Sequence, residues 1–128
     1  MEKKKENKIW IGKDGIIYVE IVDKDLSGEN VFKIMEDTVK VVGEFLGKAK
    51  ILVSFVEPVF KVGDSKFRKK LVDLTIEAYK NPGFEKLAIC GVSTIVRIAS
   101  LFVVKTTKLT NIRVFKTKEQ SLKWLKEF

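Results

Sequence analysis

The chain has 128 residues, with 25 basic and 17 acidic side chains, a formal charge of +8 and a hydrophobic fraction of 45%. That length holds one domain with a real core, and that apolar content excludes wholesale disorder. Histidine is absent and Cys90 is the only cysteine, which removes Ser-His-Asp and Cys-His catalysis, the usual zinc spacings and any internal disulfide.

Residues 1–7 open with Met1-Glu2-Lys3-Lys4-Lys5-Glu6 and are expected to form a flexible basic tail, without a signal-peptide pattern. Residues 8–128 are expected to form a single domain. Residues 8–22 predict a β-hairpin: Ile9 and Ile11 flank Trp10, Lys13-Asp14-Gly15 supplies the turn, and Ile17, Val19 and Ile21 alternate with Ile16, Tyr18 and Glu20. Ser27 can cap the next element. From there Val31, Ile34, Met35, Val39, Val42, Phe45 and Leu46 recur at helical spacing as a core stripe, and Gly47 is a natural stop.

Residues 51–56 form a short, nearly continuous apolar run, which suits a central strand covered on both faces, and Pro58 closes it. Asp64 or Ser65 can cap a second helix with Phe67, Leu71, Leu74 and Ala78 facing inward, and Asn81-Pro82-Gly83 breaks it. Residues 87–90 read as another buried strand, residues 94–104 as a third helix and residues 112–115 as a last strand. Thr117 and Gln120 have the spacing of a capping box before a final helix carrying Leu122, Trp124 and Leu125. The order β-β-α-β-α-β-α-β-α predicts an α/β fold: a mixed, mostly parallel sheet with an N-terminal β-hairpin and four helices. Residues 87–104 are apolar enough to raise a membrane span, but Gly91, Ser93, Thr94, Arg97 and Ser100 interrupt them, and the strand-turn-helix pattern accounts for the stretch better.

Ligands of open parallel sheets sit beyond the carboxyl ends of the strands, near helix N-termini. Two junctions qualify: Val62-Gly63-Asp64-Ser65 and Gly91-Val92-Ser93-Thr94. In the second, the hydroxyls of Ser93 and Thr94 and the guanidinium of Arg97, one turn further, would together suit an anion. The plainer reading is a capping serine with an exposed arginine. Neither a P-loop nor a GxGxxG is present, and no cofactor or metal site is expected. Asp23/Asp25 and Glu36/Asp37 read as loop and helix-surface charges. The third helix keeps only Ser93, Arg97 and Ser100 as a narrow polar stripe, so it is expected to be buried on most sides or covered by a partner.

These junctions, in this order, resemble the SpoIIAA-like STAS superfamily, which shades into the CRAL-TRIO lipid-binding architecture. The resemblance rests on Ile9-Trp10-Ile11-Gly12 with Asp14-Gly15-Ile16, on residues 86–93 with Val96-Arg97-Ile98-Ala99, and on residues 114–125, whose F-x-T-x-E-x-S-L-x-W-L is its most specific part. It implies a small regulatory or ligand-sensing module and no enzyme. In anti-sigma-factor antagonists a phosphorylatable serine follows an aspartate at the start of the second helix, and Asp64-Ser65 falls at the matching place. Lys66-Phe67 follows here instead of the serine and glycine common in that family, so an ordinary N-cap stays open for Ser65.

The functional expectation is therefore a non-catalytic module, cytoplasmic, binding a protein partner, a second copy or a small anionic ligand through Ser93, Thr94, Arg97, Asp64 and Ser65. The alternative from another class is a hydrophobic-ligand or membrane-surface binder, suggested by the apolar third helix and the basic surface. Nucleic acid is disfavoured: lysines are interleaved with glutamates, and most aromatics sit at core-spaced positions away from basic residues on a strand face.

Overall fold

The computed structural model describes residues 6–22, 29–56, 66, 69–70, 72–73, 76–77, 84–91, 94–108 and 110–127, with the backbone alone for residues 29, 32, 94–96, 99–100 and 103. The hairpin forms as its sequence requires. Strands β1 (Lys8–Ile11) and β2 (Ile17–Ile21) pair antiparallel with Trp10 opposite Tyr18. In the turn, Gly12 N donates to Ile16 O at 2.9 Å and Gly15 N to Gly12 O at 3.0 Å. Gly15 supplies the positive φ of 78° that a side chain would oppose. Gly12 is needed for a different reason. A Cβ there would lie 2.5 Å from the Tyr18 ring and 2.7 Å from the Asp14 carboxylate.

The remaining strands, β3 (Lys50–Phe55), β4 (Lys86–Gly91) and β5 (Ile112–Phe115), run parallel to β2, and the five strands stand in chain order across one sheet. The bounded helices are α1 (Glu29–Gly43), α2 (Thr94–Thr107) and α3 (Lys118–Lys126). This is the expected α/β class with a mixed, mostly parallel sheet. When parallel strands follow chain order, each right-handed crossover steps the same way, so the connecting segments stay on one face. Accordingly α1 lies over β1 and β2, and α2 over β4 and β5. They share one core with Ile17, Val19, Ile21, Ile51, Phe55 and Ile112. Among the three bounded helices, only α3, which follows β5, folds across the other face. It packs on β3, β4 and β5, where Trp124 and Leu125 join Ile16, Leu52, Ala88 and Cys90. β3 is thus covered on both sides, as its continuous apolar run implies.

Three expectations need revision or fall outside the described residues. Of the four expected helices, three have bounds among the described residues. Lys66, Lys69, Lys70, Val72, Asp73, Ile76 and Glu77 are helical where the second was expected, but Phe67, Leu71, Leu74, Ala78, Pro58, the breaker at 81–83 and the cap at Ser27 lie outside them. Leu46 is not a core residue. α1 ends at Gly43, and Leu46 (φ 53°) and Gly47 (φ 86°) turn back in left-handed conformations that leave Leu46 80% exposed. Among the described side chains of α2, Val104 packs on the core, whereas Ile98, Leu101 and Phe102 are exposed, so the fold does not cover that stripe of the helix.

Candidate functional site

The register brings Ile21, Phe55 and Gly91 side by side at the carboxyl ends of β2, β3 and β4, with Phe115 of β5 beside Cys90. From there the chain diverges. After β4 it turns into α2 on the face that also carries α1; after β5 it turns into α3 on the opposite face. Adjacent strands whose connections leave to opposite faces define the crevice where ligands of open α/β sheets collect. Of the two junctions found in the sequence, the one ending at Thr94 leads from β4 into α2, and residues 62–65 lie outside the described residues.

Thr94 is the first residue of α2, and Arg97 sits half-buried one turn along. Ser93, Asp64 and Ser65 lie outside the described residues. Across the divergence stands the start of α3. Thr117 is its N-cap, with extended backbone (φ −124°, ψ 153°), and its hydroxyl accepts from Gln120 N at 3.2 Å. This is the first bond of the expected capping box. Ser121, fully buried, donates its hydroxyl to Thr117 O at 3.0 Å and closes that turn.

From this end a shallow cleft of about 580 Å³ runs along β5 and α3, lined by Arg113, Val114, Phe115, Lys116, Gln120, Lys123, Trp124 and Glu127. Three cations face one carboxylate there, so the cleft favours an anion. Its floor is rigid. The buried Trp124 ring meets Phe115 at 5.7 Å between centroids, with Lys86 Nζ 5.0 Å and the Arg113 guanidinium 5.3 Å from its own centroid. Lys86 also donates to Trp124 O (2.7 Å) and Glu127 O (2.8 Å) at the carboxyl end of α3. Sequence reasoning missed Arg113, Lys116 and Lys123. The available signal was the alternation of β5, which puts Arg113 on the same face as Phe115, next to a helix whose apolar residues are Leu122, Trp124 and Leu125.

A second polar group lies on the open half of that face. The Tyr18 hydroxyl donates to Asp14 Oδ2 at 2.6 Å, and Ile16 N donates to Asp14 Oδ1 at 3.1 Å. The bond from Tyr18 is the main reason the Asp14 carboxyl is held below its ordinary value, with Ile16 N–H and Lys126, 4.0 Å away, adding to it. Burial, and then that same carboxylate, push the Tyr18 hydroxyl up to about 12. Trp10 stacks on Tyr18 at 5.4 Å with 6° between the rings, and Lys118 lies 5.5 Å from the Tyr18 ring. Two aromatics and the Lys118 ammonium thus meet at the hairpin, an exception to the core-spaced placement read for most aromatics. Trp10 and Lys118 lie against the Tyr18 ring, so it is not the open base-stacking surface of a single-strand binder.

No protein-family model and no curated protein matches the chain. Among the described residues, no helix is long and apolar enough to cross a membrane.

Proposed function

We propose that this chain is a non-catalytic, STAS-like regulatory or ligand-sensing module that takes a small anion, or an acidic group of a protein partner, at the β4–β5 end of its sheet. The observation that carries this reading is the divergence of α2 and α3 above adjacent strands. It brings the starts of two helices to the carboxyl ends of adjacent strands, where their partial positive charge favours an anion. Arg97 would supply a full charge from the α2 side, and Lys116 from the α3 side. A hairpin followed by parallel strands in chain order fits the α/β class that the STAS part of the reading requires, with three bounded helices among the described residues where four were expected. The lack of histidine supports its non-catalytic part, since the commonest general acid and base is missing.

The test is a titration of the full chain with inorganic phosphate and with simple dicarboxylates, followed by amide shifts in nuclear magnetic resonance. Saturable shifts are expected at residues 91–97 and 116–120. Arg97→Ala is expected to weaken binding roughly tenfold while changing stability by less than about 1 kcal/mol. An Arg97→Ala chain that unfolds would make the residue structural and the site misplaced. Shifts confined to other parts of the chain would do the same.

A further inference from the structure

The outer side of α2 carries a surface that the anion site does not use. Ile98, Leu101 and Phe102 are 63%, 55% and 45% exposed. Their spacing of three and four residues puts them in one stripe along the helix. Lys105, three and four residues beyond Phe102 and Leu101, continues the stripe, and Lys108 follows it; both are exposed. From Thr94 to Thr107 the helix holds Arg97 and Lys105 and no acidic residue. Lys66, Lys69 and Lys70 are exposed helical residues in the connection between β3 and β4.

Adjacent large apolar side chains left in water on one helix mark a contact surface more often than scattered ones do. The charge around this stripe decides among occupants. A second copy, packed antiparallel about a two-fold axis, would set Lys105 against a helix that itself holds Arg97 and Lys105, with no carboxylate on it to offset them. A partner offering a groove would need a helix apolar enough to fill it. Here three side chains project from a convex surface, and lysines flank them. An anionic bilayer fits both features. Apolar tips enter the boundary between headgroups and acyl chains, and lysine stems lie along it with their ammonium groups among the phosphates. We propose that α2 docks this protein, reversibly, on anionic lipid surfaces through Ile98, Leu101 and Phe102, with Lys105 and Lys108 at the headgroups.

Three apolar residues bind weakly by themselves, so the electrostatic part is essential. Each basic residue close to an anionic surface strengthens binding roughly fivefold. The full chain should sediment with vesicles of phosphatidylcholine mixed with phosphatidylglycerol, and at least roughly tenfold less with phosphatidylcholine alone. Leu101→Ser should weaken binding to the mixed vesicles roughly tenfold, through lost apolar contact. Its far-ultraviolet circular dichroism and its thermal midpoint should match those of the unaltered chain. Lys105→Glu gives a second arm that does not touch the apolar stripe, and it should weaken binding to the mixed vesicles similarly. Phosphate binding at the β4–β5 end should survive Leu101→Ser, so either proposal can fail while the other stands. Absence of sedimentation with the mixed vesicles overturns this one, as does equal sedimentation with both kinds or binding that neither variant weakens. A dimer in light scattering that Leu101→Ser dissociates would assign the stripe to a second copy instead.

Discussion

Asp14 ties three parts of the fold together: the hairpin turn through Ile16 N–H, the return strand through the Tyr18 hydroxyl, and the last helix through Lys126. Gly12 makes room for this arrangement, since a methyl group there would strike both the tyrosine ring and the carboxylate. The pair links hairpin stability to pH from both sides. Tyr18 is raised from 10.0 to about 12, so the stability it contributes is complete below pH 10 and is lost as pH rises toward 12. Asp14 is lowered from 3.8, so its contribution is present above that value and is lost as pH falls through its own, lower, titration. The ring signals of Tyr18 in a nuclear magnetic resonance titration should move well above pH 10. Asp14→Asn should bring that midpoint back down, since the amide keeps a hydrogen-bonding oxygen but no charge. A Tyr18 that titrates at its ordinary value in the unaltered chain would refute the coupling.

At the scale of elements, α3 is fixed to the sheet at both ends by different chemistry. Thr117 caps its start, and Lys86 of β4 satisfies carbonyls at its finish, where the helix dipole favours a cation. Lys86→Met keeps the stem against Trp124 and removes the charge. It should cost about 1 to 2 kcal/mol, read as a shifted urea midpoint with an unchanged slope. A variant as stable as the parent would mean that water replaces the ammonium without loss. The Thr117 cap was legible in the sequence because a cap needs only residues three apart, and the Lys86 bond was not, because it joins residues 38 positions apart. The same contrast runs through the fold. The Asp14-Gly15 turn and the apolar run of β3 are local patterns, and both appear as read. Helical spacing shows which residues of α1 and α2 share a side, but not where a helix stops or where the sheet beneath it ends. Leu46 keeps the α1 period yet falls after the helix has turned, and Leu101 keeps the α2 period yet stays exposed. The carboxyl-end location of the candidate site was legible as a rule about parallel sheets. The β4–β5 proposal rests on which face α3 covers, and packing across a sheet leaves no local pattern in the sequence.

For the whole molecule, the formal charge of +8 raises the question of polyanions. Exposed cations occur on every side: Lys8 on β1, Lys33 and Lys40 on α1, Lys105 on α2, Arg113 on β5, and Lys118, Lys123 and Lys126 on α3. The helices bearing them lie on opposite faces of the sheet, so a rigid duplex laid against one side would meet only a fraction of the total. Affinity for duplex DNA depends on how many phosphates are neutralised together, and each contact is weakened by salt through counterion release. Binding of a generic duplex, followed by fluorescence anisotropy, is therefore expected to be weak and to vanish by roughly 200 mM salt. Attachment to anionic vesicles through α2 should fall less steeply over the same range, because its apolar part does not involve counterions. A duplex held at micromolar affinity or better at that salt would show that the cations converge on one surface, and would replace the bilayer with nucleic acid as the partner of this charge.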